Sequence, residues 1–194
     1  MGTSTIHEAF KGRYEDQYCL LFVRGISDDS LFVRLGIDSV KSSFWTLNEA
    51  LQHYASEPGN KALRVLHAGE WTVLLELYPS GDLFAPEVVS ALSEAGEVVG
   101  AWHLLDSTTK VVHAEDGRVL GYFDDWLSLV KGAAPERLVR ALGHAGVLEE
   151  DLDDEETDEE LSVPVAVLLA IEEEFGLRVS RDSLDRSSVT VELP

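Results

Sequence analysis

Apolar residues fall along this chain in two rhythms, short continuous or alternating runs and stripes at helical spacing. Residues 18–23 (YCLLFV) form a compact apolar run closed by Arg24-Gly25, which predicts a buried strand. Leu31, Phe32 and Leu35 then recur at helical spacing behind Ser27-Asp28-Asp29-Ser30, with Gly36 as the stop. Thr46-Leu47-Asn48-Glu49 is a capping box opening a second helix. Leu47, Ala50, Leu51 and Tyr54 form its apolar stripe, and Pro58-Gly59 ends it. Residues 62–67 and 70–78, parted by Ala68-Gly69, predict a hairpin. In its second arm Trp71, Val73, Leu75 and Leu77 share one face, and Glu70, Thr72, Leu74, Glu76 and Tyr78 share the other. Pro86 opens a helix with Val88, Val89, Leu92 and Ala95 inward.

Residues 97–105, 110–114 and 118–123 follow as a three-stranded meander. Its second turn, Asp116-Gly117, carries type I′ chemistry. A helix is expected over 135–145, with Leu138, Val139 and Leu142 buried. Another is expected over 163–175, with Val167, Leu168, Ile171 and Phe175 inward and Gly176 after it. Residues 182–184 make a short turn, and 188–193 alternate as a final strand suited to a sheet edge. The pattern predicts an α+β fold, an antiparallel sheet of five or six strands with helices packed against it. Four segments result: a polar arm or short helix within 1–17, a body over 18–148, an acidic linker over 149–161, and a helix-strand piece over 162–194. That last piece is too small to fold alone and is expected to dock on the body.

Charge changes the picture more than composition does. The formal net charge is −21, and ten of the twelve residues over 149–160 are acidic: Glu149, Glu150, Asp151, Asp153, Asp154, Glu155, Glu156, Asp158, Glu159 and Glu160. The acids outside that run still outnumber the 15 basic residues. Like charges at this density repel across a Debye length of roughly 8 Å. Nucleic acid and anionic membrane are therefore poor partners, and a basic protein is a good one. The run reads first as a solvated linker and second as a contact for that partner. It lacks the spacing and loop glycine of a calcium-binding loop. Cys19, the single cysteine, sits in an apolar run and reads as a buried, inert thiol. No apolar stretch reaches the ~18 residues of a membrane span, and no basic-then-apolar leader is seen, so a cytoplasmic protein is expected.

Several longer words recur in a fixed order: CLLFVRGISDDSLFVRLG, GEWTVLLELYPSG, VVHAEDGRVLGYFDD, PERLVRALGHAGV and VAVLLAIEEEFGLRVSRDSLD. In order and content they resemble a bacterial family catalogued as domain of unknown function 6461, over most of residues 18–186. The resemblance implies a single α+β domain of the kind found in small accessory proteins. It implies no activity and no catalytic residue.

Recognisable catalytic sets are missing from the sequence. Neither phosphate loop, GxGxxG or GxxxxGK[ST], occurs, nor does a GxSxG elbow. The six histidines form no HxH or HxxxH pair, and no cofactor or metal is expected. With the meander's first turn at 106–109, His103 lies opposite Val112 and His113 opposite Trp102, which would send the two rings to opposite faces. Glu76 stands between Leu75 and Leu77. The preferred reading is that it faces solvent or pairs with an arginine, and a partner contact is the second; desolvated there, it would instead be prepared as an acid or base, the third reading. Asp124-Asp125-Trp126 follows a strand. Its indole reads first as folded into the core and second, exposed beside two acids, as an anchor for a basic partner. Trp45, Trp71 and Trp102 are expected in the core.

The residues point to a non-catalytic domain that binds a basic protein, in its sharpest form an immunity- or antitoxin-like inhibitor of a cationic toxin. A small-molecule-binding domain or small enzyme using the sheet face is the alternative, and a regulatory adaptor the third reading.

Overall fold

The computed structural model describes residues 4–14, 16–55, 61–105, 108–127, 129–148 and 161–194. Among the described residues nine strands form one sheet: β1 (Tyr18–Arg24), β2 (Ser43–Trp45), β3 (Ala62–Ala68), β4 (Trp71–Glu76), β5 (Glu97–His103), β6 (Thr109–Glu115), β7 (Arg118–Asp124), β8 (Leu129–Lys131) and β9 (Ser188–Glu192). Every neighbouring pair is antiparallel, in the order β2-β9-β3-β4-β1-β5-β6-β7-β8. The α+β class stands, with nine strands where the pattern predicts five or six. The additions include β2 and β8, of three residues each, too short to show an alternating pattern. The final strand is not at the edge. β9 lies between β2 and β3, and its alternation arises because Ser188 and Thr190 accept from the buried Arg64 on one face while Val189 and Val191 pack into the core of the other.

Among the described residues seven α-helices cover the two faces: α1 (Thr5–Phe10), α2 (Asp28–Leu35), α3 (Leu47–Ala55), α4 (Pro86–Ser93), α5 (Glu136–His144), α6 (Val163–Phe175) and α7 (Arg181–Asp185). On one face Leu20, Phe22, Val73, Leu75, Val99 and Val111 pack beneath α1, α3, α5, α6 and α7. On the other, Leu21, Val23, Leu63, Leu74, Val98 and Val112 pack beneath α2 and α4. The central strands therefore bury both faces and read as continuous apolar runs.

Local chemistry sets the element ends. The Ser27 side chain accepts from the Ser30 N–H, and Gly36 closes α2 in the left-handed conformation. The Thr46 hydroxyl accepts from the Glu49 N–H at 3.3 Å, and the Glu49 carboxylate accepts from the Thr46 N–H at 2.8 Å, completing the capping box. Asp116 and Gly117 both have positive φ, 51° and 72°, as a type I′ turn requires. Within the polar N-terminal segment, α1 is a core element, with Ile6 and Phe10 buried. Glu172 of α6 accepts from the Ser4 hydroxyl at 2.6 Å and the Thr5 N–H at 2.9 Å, which fixes that helix against its neighbour. Among the described residues no helix is long and apolar enough to cross a membrane.

Candidate functional site

β7 and β8 are joined through a single 3-10 turn over Asp125–Leu127. Asp124 stands opposite Lys110 on one side and Leu129 on the other, and Lys110 stands opposite Trp102. Four side chains from four strands thus share one face of the sheet in a row. The Lys110 Nζ lies 4.6 Å from the centre of the Trp102 ring and 3.7 Å from the Asp124 carboxylate. Tyr122 shares that face, and its phenol is pushed up to about 12 by burial and by the charge of Asp124.

Both aspartates brace this corner. Asp125 accepts from the Thr108 hydroxyl at 2.6 Å and the Thr109 N–H at 2.8 Å, tying the turn to β6. Asp124 accepts from the Trp126 N–H at 3.2 Å. Contrary to the core placement read first, the indole points away from the core and is 83% exposed, beside Leu127 at 53% and Leu129 at 49%. Trp71 is buried and Trp45 and Trp102 are half-buried, so Trp126 alone of the four is presented to solvent. The acids of the run, Glu149 to Glu160, lie outside the described residues.

Glu76 is buried, and neither solvent nor an arginine accounts for it. Its carboxylate accepts from the backbone N–H groups of Ser80 at 2.5 Å, Gly81 at 3.0 Å and Leu83 at 3.0 Å, and from the Ser80 hydroxyl at 3.0 Å. The acid is a clamp on the loop after β4. Backbone donors four to seven residues ahead leave no mark in a period-two pattern, so the sequence does not reveal them. Cys19 lies fully buried nearby, its thiol pushed well up by burial and by the charge of Glu76.

The two meander histidines correct the predicted register. His103 pairs with Thr109, and His113 with Val99, so both rings lie on the α6 face. The turn is centred earlier in the chain than the sequence suggests, the Leu104 N–H reaching the Thr108 carbonyl at 3.2 Å, which shifts the pairing by three residues. The rings still stand four residues apart along the strands, roughly 13 Å. No cluster of three metal-ligating side chains occurs among the described residues.

A charged network went unread in the sequence. Glu97 is buried; its Oε1 accepts from the Arg137 Nη1 at 2.6 Å and lies 3.0 Å from the His113 Nε2, while Oε2 accepts from the Arg24 Nη2 at 2.5 Å. Arg137 and Arg140 also bind Glu174 of α6. Burial works to raise the Glu97 pKa, but the His113 bond and the two arginine charges outweigh it and hold the carboxyl below its ordinary value. Only the pairing of β1 with β5 brings Arg24 beside Glu97, so no local motif marks the group.

The fold and this corner define an antiparallel α+β protein, clad on both faces, that presents an exposed indole at a sheet edge. The chain matches the model of DUF6461, described as a family of unknown function, over residues 4–193, and it belongs to that family. Comparison with curated proteins and with solved structures returned no match.

Proposed function

We propose that this is a non-catalytic interaction domain that takes a basic protein partner at the β7–β8 corner. The exposed indole of Trp126, followed by Leu127 and Leu129, is the observation that carries the reading. An aromatic anchor flanked by aliphatic side chains is the usual centre of a binding hot spot. The net charge of −21 selects a cationic partner and speeds its approach. In the sharp form of the proposal that partner is a toxin such as a nuclease, whose phosphate-binding surface the acidic protein would occlude. Supporting a non-catalytic role, Glu76 is fully engaged in holding a loop.

A photo-crosslinking residue at position 126 tests this in cells, with position 40 as control because Val40 is 89% exposed. The expected result is an adduct with a basic protein at 126 alone, diminished in high-salt lysate. Equal adducts at both positions, or adducts only with acidic proteins, would overturn the proposal.

A further inference from the structure

At the opposite edge of the sheet from Trp126 lies a cavity of about 350 Å³, within the volume range of small-molecule sites. The strand register builds its floor. Phe44 stands opposite Val189, and Val189 stands opposite Val65, so the three side chains share one face in a row across β2, β9 and β3. That face is the one beneath α2 and α4, where Val65 is buried in the core and Val189 packs against it. His67, two residues beyond Val65, falls on the same face. Asp28, the first residue of α2, lines the cavity from the helix that covers this face, and its Oδ2 lies 3.4 Å from the His67 Nε2.

Two of these side chains have capacity left over. Phe44 is 70% exposed, an aromatic ring on an edge strand that the helices leave uncovered. The Asp28 carboxylate accepts no hydrogen bond from a described residue, and among the described residues His67 is its one ion-pair neighbour. A carboxylate with open lone pairs at one side of an apolar floor is the arrangement that receives an ammonium group through charge-assisted hydrogen bonds. The net charge of −21 works in the same direction, because it raises the local concentration of small cations at the surface. Arg186 opposes it. That residue also lines the cavity, but it enters from the end of α7, which packs on the other face of the sheet, so a positive head is admitted at the Asp28 side alone.

We propose that this cavity binds a small organic amine in its protonated form. The Asp28 carboxylate takes the ammonium head, and the apolar body lies against Phe44, Val65 and Val189, all on one face of the sheet. The site is at the other edge from the Trp126 corner and needs no protein partner, so each proposal fails or stands alone.

Benzylamine, neutral benzyl alcohol and benzoate are suitable probes, titrated into the ¹⁵N-labelled full chain at pH 7 in the millimolar range. Salt at about 0.15 M screens diffuse attraction to the acidic surface. The expected result is saturable shifts at Phe44, His67 and Val189 with benzylamine and none with the alcohol or the anion. Asp28→Asn, a change of charge alone at a part-exposed position, should weaken benzylamine about tenfold, the equivalent of one charge-assisted contact. Phe44→Ala should weaken it as well, whereas Val40→Ala, exposed but outside the cavity, should leave it unchanged. No saturable shift, equal shifts with benzyl alcohol, or unchanged affinity in Asp28→Asn would each overturn the proposal. Tighter binding of acetyl-lysine methylamide than of benzylamine would give the site to a protein side chain and overturn the small-molecule assignment.

Discussion

At the scale of single residues, the buried acids do different work, and each is open to test. Glu97 is held below its ordinary pKa of 4.5, against burial, by His113, Arg137 and Arg24. A lowered folded-state value means that the ionised carboxylate stabilises the fold above about pH 4.5 and that this stabilisation is lost as the pH falls through the folded value. Glu97→Gln should therefore cost about 2 kcal/mol at neutral pH, less than the usual 3–5 because both arginines reach solvent. It should also flatten the acid limb of stability. Urea unfolding at pH 7 and pH 4 measures both effects, and an unchanged acid limb would assign it to other carboxylates. Glu76→Gln keeps the shape but removes the charge from a set of backbone bonds, for an expected cost of about 2 kcal/mol. Because its role is to hold a loop, crosslinking through position 126 should survive that substitution.

At the scale of elements, β8 is the fragile piece, with three residues, one neighbour and an aromatic corner depending on it. Gly132, just beyond it, has φ of 150°, and a Cβ there would run into the Leu120 carbonyl oxygen. Gly132→Ala should cost about 1–3 kcal/mol in backbone strain. Hydrogen exchange should show protection lost at Val130 and Lys131 and retained in α6. The same contrast explains what the sequence discloses. The central hairpin, the type I′ turn and the apolar stripe of α6 are legible because period, cap and turn chemistry agree locally. β2 and β8 are illegible because three residues show no period, and the place of β9 is decided by pairing with distant β2 and β3. At the candidate site, Asp124-Asp125-Trp126 is visible as a cluster, but whether the indole is buried depends on the turn between β7 and β8. The acceptors around the buried Arg64 guanidinium come from β2, α7, the segment after it and β9, and carry no signature in any one of them.

At the scale of the whole molecule, charge and contact separate in time. If the ten acids of the 149–160 run steer a basic partner, neutralising them should slow association, and salt should do the same. Trp126→Ala should instead speed dissociation, since an anchor acts after encounter. Stopped-flow binding at two salt concentrations distinguishes the two, and tight binding to duplex DNA would contradict the electrostatic reading. The position of β9 has a different consequence, one for synthesis. Among the described residues β2 pairs with β9 and with no other strand, and β3 keeps an open edge until residues 188–192 have been made. Residues 43–45 must therefore leave the ribosome and wait, unpaired, while more than a hundred further residues are translated. The nascent chain passes through a stage with a long, bare strand edge exposed, the state in which a neighbouring chain on the same message could add a strand of its own.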